Sequence, residues 1–260
     1  MLAVDLHLGG KTAVVTGAGR GIGLAITRSL VDEGVKVVAG SRTIGGDLES
    51  MPVEAFAVDL GTADGPGRLV DEAVARAGGF DILVNNVGSV HPRPAGFASV
   101  TDDDWLQTLN LDLMSAVRTT RAALPVLIER SGVIVTVCSV NATLPDPLVI
   151  DYSAAKAACL SFFKSLSKEL GPQGVRVNTV SPGPVATDLW LGKGGVAETV
   201  GGAVGAAPKD VAAQAAKDSV TGRFTRPEEV ADLVVFLASD RAGNLTGADI
   251  ILDGGMTPTI

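Results

Sequence analysis

Tyr152 is the only tyrosine among 260 residues, and Lys156 follows it by four positions in the stretch DYSAAKAACLSFFKSL. Residues at i and i+4 share one face of a helix, so this phenol and ammonium would project into the same space. Such a pair suits proton transfer to or from an oxygen. A free phenol has a pKa of about 10, and work near neutral pH needs a displacement of about 3 units, or about 4 kcal/mol. A helix N-terminus contributes only about 0.3–1 kcal/mol, whereas a cation within about 4–6 Å contributes about 1–3 units. The lysine is therefore the larger lever. Ser139, closing the run GVIVTVCS, offers a hydroxyl to hold a substrate oxygen against the phenol. Alone, a Tyr–Lys pair at this spacing reads as an ordinary surface pair, and its meaning depends on what else reaches the same place.

A second constellation is TGAGRGIG, from Thr16 to Gly23, between an apolar run and a helical stretch. Gly17, Gly21 and Gly23 follow G-x-x-x-G-x-G, with Gly19 and Arg20 inside the turn and Ile22 between the last two glycines. This differs from the usual G-x-G-x-x-G dinucleotide spacing, but the physics is shared. Glycines allow a tight turn and close approach of phosphate to backbone, and the helix N-terminus favours a pyrophosphate. No Lys-Ser/Thr follows, so it is not a Walker loop. At the end of the next strand, in AGSRT, Ser41 stands where an acid would bind a ribose 2′-hydroxyl, Arg42 follows, and the next acid is Asp47. An arginine beside a missing carboxylate favours a 2′-phosphate. The expected cofactor is therefore NADP(H), with NAD(H) as the alternative, and Arg20 as a second positive contact. Asp59 is placed to accept from the adenine amino group and Leu60 to pack on its ring.

The elements that must position these residues alternate along the chain. KTAVVTG, VKVVAGS, VEAFAVD, FDILVNNVG, GVIVTVCS, GVRVNTVSPG and GADIILDGG read as strands with helical stretches between them, including a long one over about 102–129. Strand–helix alternation with continuous apolar strands predicts an α/β fold, a doubly wound parallel sheet of about seven strands with helices on both faces. In such sheets ligands bind beyond the carboxyl ends of the strands. That is where NNVG, Ser139 and Tyr152 would lie. No repeat or linker divides the chain, so residues 1–260 read as one domain. From about 188 to 225 the sequence is rich in Gly and Ala, with weak periodicity until PKDVAAQAAKDS, and reads as a lid over the substrate cleft.

Composition narrows the class. A net charge of −8 and a sequence rich in apolar residues fit a soluble cytoplasmic protein and exclude a basic nucleic-acid surface. No apolar run is long enough for a membrane helix. The opening MLAVDLHLGGKTAVV carries Asp5 and no basic segment, so no signal peptide is expected. Two cysteines, Cys138 and Cys159, lack metal-like spacing and fit a reducing compartment, and two histidines are too few for a histidine metal site.

TGAGRGIG, NNVG, Asn110 in LNLDLMSAV, Ser139, YSAAK and SPGPVATD occur in one order over nearly the whole chain. In this the sequence resembles the short-chain dehydrogenase/reductase family, in its single-domain branch. The resemblance implies a Rossmann-fold oxidoreductase that moves hydride between a nicotinamide cofactor and a ketone or secondary alcohol. It implies Tyr152 as general acid/base, Ser139 as substrate orienter, Lys156 as tuner of the phenol and ligand of the nicotinamide ribose, and Asn110 as holder of the water linking Lys156 to solvent. Asn86 and Gly88 would line the cofactor cleft; Pro182, Gly183, Val185 and Thr187 would meet the nicotinamide. NNVG departs from the family's usual NNAG by a larger side chain. The family's subunit contacts imply a homotetramer, or a homodimer, built on the long helices.

Substrate contacts are expected from Ser89, Asn141, Leu148, Val149 and Trp190 besides Ser139, with Leu144 and Leu191 adding to an apolar wall. No basic cluster marks a phosphate or carrier-protein dock. The pocket reads as fit for an uncharged, moderately apolar ketone or alcohol, and the general resemblance is to 3-oxoacyl thioester reductases and related carbonyl reductases. Two alternatives stay open: a cofactor-binding regulator without turnover, and a sugar-nucleotide epimerase or dehydratase of the longer branch.

Overall fold

The computed structural model describes residues 5–258; residues 1–4, where a leader was sought, lie outside them. Seven apolar runs form the strands β1 (Thr12–Thr16), β2 (Lys36–Ser41), β3 (Glu54–Ala57), β4 (Ile82–Asn85), β5 (Val133–Val137), β6 (Arg176–Pro182) and β7 (Asp249–Leu252). They make one sheet in the order β3-β2-β1-β4-β5-β6-β7, and every pairing is parallel. β1, β4 and β5 are buried along their whole length, as parallel strands covered on both faces must be.

The helices are α1 (Gly21–Asp32), α2 (Asp47–Ser50), α3 (Gly65–Ala77), α4 (Asp102–Leu109), α5 (Ser115–Glu129), α6 (Ile150–Leu170), α7 (Asp188–Leu191), α8 (Val196–Val204), α9 (Pro208–Lys217) and α10 (Pro227–Ala238). Alternate residues of each strand face opposite sides, so two cores result. On one side Val15, Val37 and Val135 pack with Ile26 and Leu30 of α1 and Val230 and Val234 of α10. On the other, Val14, Leu83 and Ile134 pack with Leu69 of α3, Leu127 of α5 and Phe163 of α6. Leu60, expected against an adenine ring, is 3% exposed and belongs to this second core.

Two features differ from the expected element pattern. The long helical region is interrupted by a π-helical turn over Asn110–Met114 between α4 and α5. The segment after Asp188 is largely helical, comprising α7, α8 and α9. Its Gly and Ala residues weakened the apolar period without preventing short helices. Among the described residues no helix is long and apolar enough to cross a membrane.

The order of the strands reverses between β1 and β4, since β2 and β3 lie to one side of β1 and the later strands to the other. A crevice opens there beyond the carboxyl ends. The glycine turn and the NNVG turn meet in it.

Candidate active site

The first wall of the crevice is backbone. Gly17 and Gly21 have φ of +66° and +55°, conformations that a side chain disfavours. A Cβ on Gly19 would overlap Ser41 Oγ, and one on Gly23 would overlap the Gly17 carbonyl oxygen, so only glycines let the turn, β2 and α1 come this close. Asn86 braces the turn: its Nδ2 donates to the carbonyls of Thr16 (3.2 Å) and Gly17 (3.3 Å), and its backbone N–H donates to Thr16 Oγ1 (2.8 Å). No side chain caps the N-terminus of α1, whose first N–H groups lack intrahelical acceptors. Arg20 and Arg42 are exposed, and neither is in an ion pair among the described residues. Asp47, the next acid after Ser41, is engaged by Arg28 at 3.2 Å. Asp59 is exposed and accepts from the N–H of Gly61 (2.9 Å). These features fit a dinucleotide: a glycine cradle that any Cβ would fill, a helix N-terminus for pyrophosphate, and free guanidinium groups near the ribose end.

The second wall is side chain. β5 delivers Ser139, which is buried, in extended backbone, and hydrogen-bonded both ways with Asn141: Ser139 Oγ donates to Asn141 Oδ1 (3.3 Å) and accepts from the Asn141 N–H (3.2 Å). α6 delivers Tyr152 and Lys156 on one face, with Lys156 Nζ 5.5 Å from the centre of the Tyr152 ring. Lys156 is 4% exposed, donates to the Val137 carbonyl (3.3 Å), and has the Asp112 carboxylate 3.9 Å away. Burial would push the Lys156 ammonium down, but Tyr152 and Asp112 outweigh it and hold the pKa above the ordinary lysine value. Tyr152 is held above the ordinary phenol value: burial raises it, Lys156 and the nearby Ser139 hydroxyl pull it down, and Asp112 opposes them. Lys156 thus pulls the phenol down as expected, while burial, the largest effect, leaves the net value raised.

The start of α6 is fixed by a network that motif reading missed. Arg93 Nη2 donates to Asp151 Oδ2 (2.6 Å) and Nη1 to Asp104 Oδ1 (2.9 Å), while Thr108 Oγ1 donates to Asp151 Oδ2 (2.8 Å). Arg93 therefore clamps the residue beside Tyr152 to α4.

Between the walls lies a cavity of about 790 Å³. Tyr152, Lys156 and Ser139 line it with Ile22, Asn86, Gly88, Pro182, Gly183, Val185 and Thr187, and with Ser89, Asn141, Leu148, Val149 and Trp190. The expected substrate contacts, Leu191 apart, and the nicotinamide-end cofactor contacts are therefore in one space, while the glycines of the turn, Ser41, Arg42, Asp59 and Leu60 do not line it.

The comparisons with known proteins agree with this geometry. A family model described as enoyl-(acyl carrier protein) reductase matches residues 17–257. A 3-oxoacyl-(acyl-carrier-protein) reductase of Thermotoga maritima is 32% identical over 96% of this chain and 99% of its own. The chain belongs to the short-chain dehydrogenase/reductase family. A D-threitol dehydrogenase of Mycolicibacterium smegmatis is 35% identical over 97% of this chain and 95% of its own. The crystal structure of L-sorbose reductase from Gluconobacter frateurii, complexed with NADPH and L-sorbose, superposes with a TM-score of 0.90 at 32% identity, covering 99% of this chain and 100% of that one. As a member of this family, the protein is an NAD(P)-dependent oxidoreductase acting on alcohol and carbonyl groups. The regulator and epimerase readings find no support among these relatives.

The side chain of Asn110, expected to hold a water linking Lys156 to solvent, is engaged elsewhere. Asn110 does not meet Lys156 with its side chain: Nδ2 donates to the Gly61 carbonyl (2.6 Å) and Oδ1 accepts from Arg118 (2.7 Å). Two residues along a helix turn a side chain by roughly 200°, and the π-helical turn moves the register further. Asp112 takes the position against Lys156. An acid between leucines in LNLDLM was the signal available in the sequence, since a charge within an apolar run needs a partner.

The apolar wall also differs in part. Leu144 lines the cavity as expected, but Leu191 is 53% exposed and Leu189 lines it instead. Val196, Val200 and Val211, from α8 and α9, and Met256 also line it, as do the polar Asp146, Asp210, Gln214 and Asp218; none of these was singled out from sequence. Trp190 is steadied edge-on by Phe224, centroid to centroid 5.3 Å. Cys138 and Cys159 are buried and free. Among the described residues no cluster of His, Cys, Asp and Glu could hold a metal.

Proposed function

We propose that the protein reduces an uncharged, largely apolar ketone, or oxidises the corresponding secondary alcohol, with Tyr152 as the proton carrier and NADP(H) as the preferred cofactor. The observation that carries this reading is the convergence of Tyr152, Lys156 and Ser139 on the cavity also lined by Ile22, Asn86 and Thr187. When bound, the nicotinamide supplies or accepts the hydride. Ser139 Oγ donates to the carbonyl oxygen and holds it beside the phenol. Tyr152 gives that oxygen its proton in reduction and takes one back in oxidation. The phenol is protonated at neutral pH, the state reduction requires, and burial raises its pKa further. Lys156 lends positive charge to this exchange and would hydrogen-bond the nicotinamide ribose.

Preference for NADP(H) is supported by Ser41 in place of an acid and by the exposed guanidinium groups of Arg20 and Arg42. The relative solved with NADPH points the same way. An apolar substrate is supported by the lining of Leu144, Leu148, Val149, Trp190, Val196 and Val211. The polar groups of this lining are Asn141, whose amide donates to the Leu144 carbonyl (3.3 Å), and Asp146, Asp210, Gln214 and Asp218. Residues 1–260 are read as one nucleotide-binding domain, with α7, α8 and α9 as the cover of the cavity. A soluble cytoplasmic homotetramer, or homodimer, with α5 and α6 at the subunit contact completes the proposal.

The test is absorbance of the reduced nicotinamide, with NADPH and NADH in parallel, against a 3-oxoacyl thioester, a cyclic ketone, a steroid ketone and a quinone. Oxidation that depends on one ketone and is faster with NADPH is expected. Silence across the panel, with tight NADPH binding measured separately, would overturn the substrate class.

A further inference from the structure

We infer that Asp112 is a positioning residue of the proton-transfer site: its buried carboxylate opposes the pull of Lys156 on Tyr152 and so sets the pH at which the alcohol is oxidised. The inference rests on Tyr152 being the proton carrier. Asp112 is 2% exposed, in the π-helical turn that joins α4 to α5. Such turns recur at functional sites because they aim a side chain that a regular helix would direct elsewhere. Its Oδ1 accepts from the Ser89 N–H (3.0 Å) and lies 3.9 Å from Lys156 Nζ. Gly88 leaves room for the pair: a Cβ there would lie 2.8 Å from Asp112 Oδ1 and 3.2 Å from Lys156 Nζ.

The other charged and titratable groups nearby leave this role to Asp112. On α6 they are Asp151, Tyr152, Lys156 and Cys159; Asp151 is bound to Arg93, and Cys159 is buried beside Cys138, which follows β5. Arg118 of α5 is turned to Asn110. His91 is exposed and hydrogen-bonds to Ser89 Oγ (3.3 Å). Lys156 thus has one close carboxylate. Burial pushes Asp112 up to about 6, with Lys156 and the Ser89 N–H pulling down. Above that pH its negative charge raises the cost of ionising Tyr152. Below it, the ammonium acts on the phenol unopposed.

The chain's single tyrosine makes the test direct, because the tyrosinate absorbance band reports on Tyr152 alone. Asp112→Asn removes the charge at nearly constant volume. Its tyrosinate midpoint is expected about one pH unit below that of the wild type, in the range set by a single nearby like charge. The acid limb of kcat/KM for alcohol oxidation should fall by the same amount. Asp112→Glu, which restores the carboxylate, should return both towards wild type. Circular dichroism at each pH verifies folding, and Asp112→Ser makes the same charge change should the asparagine variant not fold. An unmoved or higher midpoint in a folded neutral variant would overturn the role of Asp112. Turnover retained in Tyr152→Phe would instead overturn the reading of Tyr152 as proton carrier, while leaving the absorbance result standing.

Discussion

The two walls of the crevice are made of different material. Beyond β1 the contacts are backbone: glycines with positive φ, bare N–H groups at the start of α1, and an Asn86 side chain spent on bracing them. Beyond β5 the proposed catalytic groups are side chains, Ser139, Tyr152 and Lys156, held by packing and a buried carboxylate. A backbone site depends on a local chain path, which spacing dictates. A side-chain site depends on which faces the helices turn inward, and that is settled by contacts between distant segments.

Substitutions on each side should therefore fail differently. The largest effect is expected for Tyr152→Phe, which deletes one hydroxyl at the chemical wall. Turnover should fall by about 10²–10⁴-fold, with NADPH affinity by fluorescence titration nearly unchanged; equal loss of both would blur the distinction between the walls. Arg93→Ala comes next, because it leaves the buried Asp151 carboxylate without its cation. A loss of about 3 kcal/mol is expected, read as a lower Tm together with lower kcat. Burial raises the Asp151 pKa, but hydrogen bonds from Arg93 and Thr108 outweigh it and hold it below the ordinary value. The stabilisation it provides is therefore present above the unfolded carboxylate pKa and is lost as pH falls through the folded one. The variant should show a weaker acid dependence of Tm between those values.

Gly23→Ala probes the backbone wall. The added methyl meets the Gly17 carbonyl, and overpacking of this kind costs about 1–3 kcal/mol. NADPH and NADH binding should weaken together, while Ser139 and Tyr152 stay in place. The smallest effect is expected for Arg42→Ala. Loss of one charge-assisted contact is worth about 1.5 kcal/mol, so NADPH affinity should drop about tenfold with NADH little changed. An equal change for both cofactors would remove Arg42 from the 2′-phosphate site.

Spacing and periodicity were enough to read the seven parallel strands, the glycine turn between β1 and α1, and the Tyr152–Lys156 face of α6. Each depends on neighbours in sequence: a strand on its apolar run, a turn on its glycines, a helical pair on four residues of separation. Tertiary structure alone decided the rest. It buried Leu60 in a core, turned Asn110 towards Gly61 and Arg118, and brought Asp112 to Lys156 through a π-helical turn that no composition rule reveals. It also folded the segment after Asp188 into helices whose valines close the cavity. The physical reason is common to all four. The direction of a side chain follows from the rotation of its element and the surface that element packs against, and that surface is supplied by residues far away in the chain.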